Sequence, residues 1–386
     1  MLETDFDKGA SLQASRLHSF LKGIRVVDLS RYLPGPLASL MLSDLGAAVI
    51  KVESPQGDGL ESLGPLRADG RSAWHEAINA GKEILRLDLK QAEDKEVLWQ
   101  LLDDADIVLE SFRPGVLAKI GFSIEQMRQR NPRLIVASLS GYGQQGPLSQ
   151  AAGHDINYLA TAGYLSDVGS DRLTPALVSP PVADTFGSMF ALASILAALY
   201  GREKTGEGCY IDLALADAVA PILTLAFSEI DVPTPRAARA EDFLSGGWAC
   251  YGIYRCADGR EAALGAIEPK FWAAFCAAAD HPEWVARQQE PLPQQALKGE
   301  VAAFFRAQTL EAILLRFAQV DCCLSPVLDI ASAAQTPHAK ARGIVQRTAE
   351  GSTQAVFPVW VDGEPPSARG PLRHLSKHSI EGNKNA

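Results

Sequence analysis

Three side chains near the middle of the chain have the types that acid–base chemistry at neutral pH requires. His154 and Asp155 are adjacent, and Asp184 follows later in the chain. The small and aliphatic residues at 188–200 favour a helix, so Asp184 would stand where free backbone N–H groups stabilise a carboxylate. Such a carboxylate can act as a base or as a nucleophile. The same residue types also fit an Asp that only caps a helix and a His that is only a satisfied core residue.

Composition limits the classes of protein that the chain can represent. Its 386 residues, 47% of them hydrophobic, provide for two domains or one large domain with an insert. The net charge of −10 argues against a surface for nucleic acid or anionic membrane. The six cysteines lack metal-ligand spacing, so we expect reduced thiols and no metal. Without an apolar signal core, and with a longest apolar run, 189–200, too short to span a bilayer, we expect a cytoplasmic protein.

The order of hydrophobic segments predicts a parallel sheet. A β-type run at 24–30 is followed by Pro-Gly-Pro, a helical pattern at 37–45 and a second strand at 47–53. This strand–helix–strand order is a βαβ unit, and later strand patterns at 83–89, 106–110 and 134–139 repeat it. We therefore expect an α/β protein with an open, doubly wound first domain. Lys51 and Glu53, at the end of the second strand, are interpreted as charges at its rim.

A change of composition near residue 225 predicts a domain boundary. Residues 231–247 are rich in Pro, Ala, Arg and Gly, and strand and helix patterns resume after them. We expect a large domain at 1–224, a small α+β domain at 225–330, and a C-terminal segment at 331–386 that returns to the large domain. The polar residues from 373 onward are expected to fray.

Several segments together resemble the family III CoA-transferases, from about Leu21 to Pro371. They are Gly23-Ile-Arg-Val-Val-Asp-Leu, Leu45-Gly-Ala-Ala-Val-Ile-Lys-Val-Glu, Glu110-Ser-Phe-Arg-Pro-Gly, Ser140-Gly-Tyr-Gly and Tyr200-Gly-Arg-Glu-Lys-Thr-Gly. The resemblance implies a Rossmann-like large domain, a small domain reached through long linkers, and a homodimer of interlocked chains. It also implies an acyl-CoA substrate and no permanently bound cofactor, since coenzyme A arrives as part of the substrate. A carboxylic acid would be the second substrate of a transferase.

Two chemistries share this family's scaffold. The resemblance implies that transferases use the Asp at position 184 as a nucleophile, through an aspartyl-CoA intermediate, and that racemases use it as an α-proton acid or base opposite a His. The segments His154-Asp155-Ile-Asn-Tyr and Gly265-Ala-Ile-Glu268-Pro269 resemble the α-methylacyl-CoA racemase branch. Racemase-like epimerisation is therefore expected, with Glu268 and Asp155 orienting His154. Backbone N–H groups at the helix start after Asp184 would stabilise the enolate.

Two other functions remain open on the sequence. One is transfer of CoA between an acyl-CoA and a carboxylic acid through Asp184. The other is a non-catalytic protein that binds CoA thioesters, against which the presence of His154, Asp184 and Glu268 counts.

The resemblance also implies a set of contacts to coenzyme A. Arg113 would pair with a phosphate, which suits its planar fork of donors. Without the resemblance, Lys82 and Arg113 would be interpreted as solvated surface charges. The complete set is Tyr32, Leu33, Lys82, Ser111, Phe112, Arg113 and Ser140.

Overall fold

The computed structural model describes residues 15–233, 236–348 and 350–377. Within these residues the strands are β1 (Arg25–Leu29), β2 (Ala48–Glu53), β3 (Glu83–Arg86), β4 (Ile107–Glu110), β5 (Ile135–Ser140), β6 (Tyr210–Ala214), β7 (Tyr251–Arg255), β8 (Glu261–Gly265), β9 (Leu324–Pro326), β10 (Val345–Arg347), β11 (Thr353–Ala355) and β12 (Arg373–Leu375). The α-helices are α1 (Pro34–Asp44), α2 (Ala73–Ile78), α3 (Ala92–Asp103), α4 (Val116–Lys119), α5 (Ile124–Arg130), α6 (Asp155–Thr161), α7 (Val182–Thr205), α8 (Thr224–Ser228), α9 (Pro269–Ala278), α10 (Gln295–Arg306), α11 (Leu310–Arg316), α12 (Ile330–Gln335) and α13 (Pro337–Arg342).

The largest sheet in the described residues has seven strands in the order β12-β3-β2-β1-β4-β5-β6. Every neighbouring pair in it is parallel, which confirms the parallel sheet predicted from the βαβ pattern. The strand order reverses between β1 and β4, so the connections leave in opposite directions there. In such sheets, ligands bind beyond the carboxyl ends of the strands near this reversal.

Both faces of this sheet are covered, because successive residues of a buried strand point to opposite sides. Val26 packs in a cluster with Leu42 of α1 and Ile195 of α7. Its neighbour Val27 packs on the other face, in a cluster that includes Leu98 of α3. Helices therefore lie on both sides, which confirms the doubly wound α/β arrangement.

Helix α7 is the long helix that begins just before Asp184. Its 24 residues are long and apolar enough to cross a membrane by length and composition alone, well beyond the run at 189–200 seen in the sequence. A core helix of a globular protein passes the same test. Ala191 and Ile195 of α7 are fully buried in the cluster on the sheet, which is the packing of such a core helix.

The end of the described chain forms the edge of the large sheet. Arg373 of β12 pairs with Glu83 of β3, so the expected fraying from residue 373 is wrong for the three residues of β12. Residues 378–386 lie outside the described part. Arg369, just before β12, binds the carboxylate of Asp44 in α1 through two hydrogen bonds of 2.6 and 2.7 Å.

The contacts divide the chain into two compact units. The first consists of the residues through Tyr158, Pro180–Pro221 and the segment from Ala334 onward, and the second of Leu159–Ser179 and Ile222–Ala333. In the second unit, β7, β8 and β9 form an antiparallel sheet. Its core is an aromatic cluster that includes Trp272, Phe275, Trp284, Phe305 and Phe317.

Candidate active site

His154 lies immediately before helix α6. Its backbone N–H donates to the side-chain oxygen of Asn157 at 3.1 Å, and the N–H of Asn157 donates to the carbonyl of His154 at 2.8 Å. This reciprocal pair is the geometry of a helix N-terminus, and it fixes the backbone of His154. The side chain of His154 is exposed. The alternative interpretation of His154 as a core histidine is therefore wrong.

Asp184 lies in the first turn of α7, as the third residue after the N-cap Pro181. The alternative interpretation of Asp184 as a helix cap is wrong for this reason. Its backbone N–H donates to Oδ1 of Asp155 at 3.1 Å, and the N–H of Thr185 donates to the carbonyl of Pro181 at 3.2 Å. Asp155, the first residue of α6 and the residue after His154, thus connects the start of α6 to the start of α7.

The carboxyl group of Asp184 has an unusual proton affinity. Burial, and then the negative charge of Asp155, raise its pKa to about 7. Both effects disfavour the carboxylate form. A group with this pKa gives up and recovers a proton at neutral pH, which is the property that a general acid or base needs.

Tyr158 of α6 holds the polypeptide around these two residues. Its hydroxyl donates to the carbonyl of Gly153 at 2.6 Å. Burial, and then the charge of Asp184, raise its pKa to about 12, so it remains a neutral donor. A Cβ atom at Gly141 or Gly153 would lie within 2.7 Å of the Tyr158 ring, so both positions require glycine. The ring thereby ties the turn after β5 to the residue before His154.

Several of the residues predicted to bind CoA lie around the loops after β1 and β4. Tyr32 is 43% exposed, and Leu33 is the N-cap residue of α1. The hydroxyl of Ser111 accepts a hydrogen bond from the N–H of Arg31 at 3.0 Å. The N–H of Phe112 donates to Glu110 at 2.8 Å.

A cavity of about 300 Å³ opens at the carboxyl ends of β1, β2 and β3, beside these loops. This is the position that the reversal of strand order favours for a ligand. Phe112 is the only predicted CoA contact in its lining. The sequence analysis did not predict the other lining residues, which include Arg31, Gln56, Asp58 and Lys90. These residues follow predicted strands directly, and that position could have indicated them.

The other predicted CoA contacts differ in accessibility. Arg113 is exposed after β4. Ser140 is buried at the end of β5, and its hydroxyl has no hydrogen-bond partner among the described residues. A buried hydroxyl without a partner is an uncommon arrangement that a ligand atom can satisfy.

The prediction for Lys82 requires correction. Its side chain is fully buried, and its ammonium donates to the carbonyl of Pro36 at 2.8 Å and to Asn79 at 3.1 Å. Burial lowers its pKa to about 7, although Asp28 opposes the shift. Lys82 is neither a solvated surface charge nor a side chain with surface left for contact with coenzyme A. The hydrogen bonds of its ammonium group connect the start of α1 to the residues before β3.

The charges at the end of β2 are also buried rather than at a rim. Lys51 is fully buried and lies 3.1 Å from the carboxylate of Asp58. Glu53 is buried and lies 2.9 Å from Nε2 of His75. Each charge finds a partner on a following loop or helix, which a strand pattern alone does not reveal.

One group among the described residues has the side-chain types of a metal site. Ligand atoms of Glu53, Glu61 and His75 lie within 4.8 Å of one another. However, Nε2 of His75 already binds Glu53, and the guanidinium of Arg86 donates to Glu61 at 2.6 Å. The positive charge of Arg86 disfavours a cation here, so this group does not fit a metal site.

Glu268 lies in the second unit, immediately before α9. Its side chain is exposed, and its carbonyl accepts hydrogen bonds from the N–H groups of Phe271 and Trp272. Its role in orienting His154 stays a prediction from the resemblance.

Comparison with known proteins identifies the family. Residues 21–376 match CoA-transferase family III. The chain is 34% identical to the alpha-methylacyl-CoA racemase of Homo sapiens, covering 84% of this chain and 81% of that one. It is 30% identical to the acetyl-CoA:oxalate CoA-transferase of Acetobacter aceti, covering 84% of each. A CAIB/BAIF family protein from Brucella suis has a similar structure, with a TM-score of 0.82, 26% identity, and coverage of 95% of this chain and 98% of that one. The protein therefore belongs to CoA-transferase family III, whose members are enzymes that act on acyl-CoA thioesters.

Proposed function

We propose that this enzyme epimerises the α-carbon of a 2-methylacyl-CoA thioester. The observation that carries the proposal is the pKa of about 7 at Asp184, whose backbone N–H donates to Asp155, the residue next to the exposed His154. An acid and a base that exchange protons near neutrality are what inversion of a carbon acid requires. The similarity to an alpha-methylacyl-CoA racemase over most of the chain supports the same reaction. Deuterium incorporation at the α-carbon in D2O, without an added carboxylic acid, tests it.

In the proposed reaction the two side chains serve opposite faces of the α-carbon. The Asp184 carboxylate removes the α-proton, the C–H electron pair becomes the enolate, and the His154 imidazolium returns a proton from the other side. Asp184 is then protonated and His154 is neutral, which is the state that the opposite enantiomer needs. The enzyme thus alternates between two protonation states without consuming any other reactant.

The enolate oxygen needs hydrogen-bond donors as its charge develops. We expected them at the start of α7, but the N–H groups of Asp184 and Thr185 are already bonded to Asp155 and Pro181. The N–H groups of Asp155 and Ile156 at the start of α6 offer the alternative, since that of Asn157 is bonded to the carbonyl of His154. These two N–H groups lie at the positive end of that helix.

Coenzyme A is proposed to bind as part of the substrate, with no permanently bound cofactor. The cavity beyond β1, β2 and β3 and the exposed Arg113 offer polar and cationic groups for its nucleotide end. Tyr32, Leu33, Ser111 and Phe112 belong to the adjoining loops. Ser140 offers an unpartnered hydroxyl at the end of β5.

Transfer of CoA to a carboxylic acid is the second candidate function. The relatives include the Acetobacter aceti transferase and a succinyl-CoA:mesaconate CoA-transferase of Haloarcula marismortui, 29% identical over 94% of this chain. In this reaction the Asp184 carboxylate would attack the thioester carbonyl and release the CoA thiolate. A pKa of about 7 favours the racemase, because that reaction uses both forms of Asp184, the carboxylate as base for one enantiomer and the acid for the other, whereas the transferase needs only the carboxylate. Membership in an enzyme family argues against a purely binding role.

Asp155→Asn is expected to move the pH dependence of the reaction to lower pH. The substitution removes the negative charge that helps to raise the pKa of Asp184, while burial, the larger cause, persists. The pKa of Asp184 should therefore fall below about 7 but stay above its ordinary value. Where Asp184 acts as the base, the acid limb of kcat/KM moves to lower pH, and where it acts as the acid, the alkaline limb moves the same way.

The profile is measured as α-hydrogen exchange from each enantiomer separately. Asp217→Asn is the matched control, because it removes the same charge from an exposed position in the first unit. If the acid and alkaline limbs of the Asp155→Asn profile coincide with those of the wild type, Asp155 does not influence the proton affinity of Asp184.

We further propose that the enzyme is a cytoplasmic homodimer of interlocked chains. The resemblance to the family supports the interlocking, and exposed apolar residues on α7, Met189 and Tyr200, offer surface for a partner. Because threaded chains separate only after unfolding, dissociation and loss of helical circular dichroism should coincide in a urea titration. Folded monomers on dilution, seen by mass photometry, would rule this assembly out.

A further inference from the structure

The backbone of Tyr32 has a conformation that its side chain disfavours. Its φ angle is +63°, in the left-handed region where a residue with a Cβ atom is strained. The residue is nevertheless 43% exposed, so core packing does not explain the conformation. Such strain persists only where the surroundings fix the backbone, and it concentrates at functional sites.

A buried ion pair fixes this backbone. The carboxylate of Asp58 accepts hydrogen bonds from the N–H of Tyr32 at 3.3 and 3.4 Å and from the N–H of Leu60 at 2.9 Å. Nζ of Lys51 lies 3.1 Å from the same carboxylate and donates to the carbonyl of Ser30 at 2.7 Å. Both charged side chains are almost completely buried. Lys51 and Asp58 therefore hold the residues on either side of Arg31.

Arg31 is held as well, and it connects the Tyr32 ring to the cavity. The N–H of Arg31 donates to the hydroxyl of Ser111, so three consecutive residues are each anchored by a different segment. The guanidinium of Arg31, which lines the cavity, lies 5.6 Å from the centre of the Tyr32 ring. The ring also packs against Gly59, where an added Cβ would approach it to 2.7 Å.

We propose that the buried Lys51–Asp58 pair holds Tyr32 in its left-handed conformation so that the phenol ring covers the CoA moiety of the bound thioester. Lys51 and Asp58 are then positioning residues, and Tyr32 is the side chain that touches the substrate. The inference rests on the proposed function in one respect, that the ligand is a CoA thioester. It holds equally for the racemase and the transferase.

The first test separates strain from binding at Tyr32. Tyr32→Gly removes the ring and suits the left-handed backbone, so it should raise Tm by about 1–3 °C and weaken binding of acetyl-CoA, measured by calorimetry on the full chain, roughly tenfold. Tyr32→Phe keeps the ring and should recover most of the lost affinity. Asp362→Gly is the control, because Asp362 also has a positive φ, of +50°, but lies outside the site. It should leave the affinity unchanged.

The second test asks whether Lys51 and Asp58 act through Tyr32. Both also line the cavity, and removing one charge would leave the other buried alone, so Lys51→Met and Asp58→Asn are made together. This pair of substitutions should weaken acetyl-CoA binding about fivefold in the wild type and have little further effect in the Tyr32→Gly variant. An equal loss in both backgrounds would show direct contact with the ligand and overturn the positioning role.

The outcomes also distinguish this inference from the proposed function. Wild-type protein that binds no acetyl-CoA would overturn both. Wild-type binding with unchanged affinity in Tyr32→Gly, or a lower Tm in that variant, would overturn the assignment of Tyr32 and leave the proposed function standing.

Discussion

Asp184→Asn is expected to lower the rate of inversion of a 2-methylacyl-CoA by about 10²–10⁴-fold, the range for loss of a general acid or base. The amide can neither take nor return the α-proton on its side of the carbon. His154 still serves the other side, so residual exchange with D2O should be confined to the enantiomer whose α-hydrogen faces His154. The rates are measured for each enantiomer by NMR and chiral chromatography.

The stability of this variant separates loss of chemistry from loss of folding. The pKa of Asp184 is about 7 in the folded protein and near its ordinary value of 3.8 in the unfolded chain, so the folded protein holds this proton more tightly. The stability associated with the neutral carboxyl group is therefore fully present below pH 3.8 and is lost as the pH rises toward 7. At pH 8 the buried carboxylate therefore destabilises the protein, and Asp184→Asn should raise Tm there. Asp217→Asn, at an exposed position, should change neither Tm nor the inversion rate. An Asp184→Asn variant that inverts its substrate at the wild-type rate would remove Asp184 from the reaction.

His154→Ala is expected to lower the inversion rate by a similar factor, about 10²–10⁴-fold, with the opposite stereochemical pattern. The Asp184 carboxyl remains, so exchange should survive only for the enantiomer whose α-hydrogen faces Asp184. The side chain of His154 is exposed and its backbone is held by Asn157, so the fold should tolerate the change.

The same variant distinguishes the two candidate functions. A transferase that keeps its Asp184 nucleophile would be slowed by His154→Ala but would still move CoA to a carboxylic acid. Retention of most of the activity toward an added acid, with no stereochemical pattern of exchange, would contradict the two-base account.

The sequence was most informative where local patterns determine structure. The βαβ order and the apolar residues of β1, such as Val26 and Val27, predicted a parallel sheet covered on both faces, as the structure has it. The helix predicted at 188–200 is also present, although it begins at Val182, before Asp184, and ends at Thr205. Short-range periodicity carries this information because it reflects which face of a strand or helix is buried.

Contacts between distant segments were not predictable in this way. Lys82 is buried because the carbonyl of Pro36 and the carboxylate of Asp28 come from other elements, and no local pattern marks a lysine for burial. The hydrogen bond from Asp184 to Asp155 likewise depends on how α6 and α7 start beside each other. The raised pKa of Asp184 follows from that arrangement and could not be read from residue types.

Incubation of the wild-type enzyme with one enantiomer of a 2-methylacyl-CoA in D2O, without any carboxylic acid, tests the central claim most directly. Two bases on opposite faces predict deuterium at the α-carbon together with appearance of the other enantiomer. The result that would contradict the account is an acyl-derived covalent adduct on Asp184, trapped by hydroxylamine or borohydride and discharged by a free acid, with no α-exchange. That outcome would leave CoA transfer as the reaction.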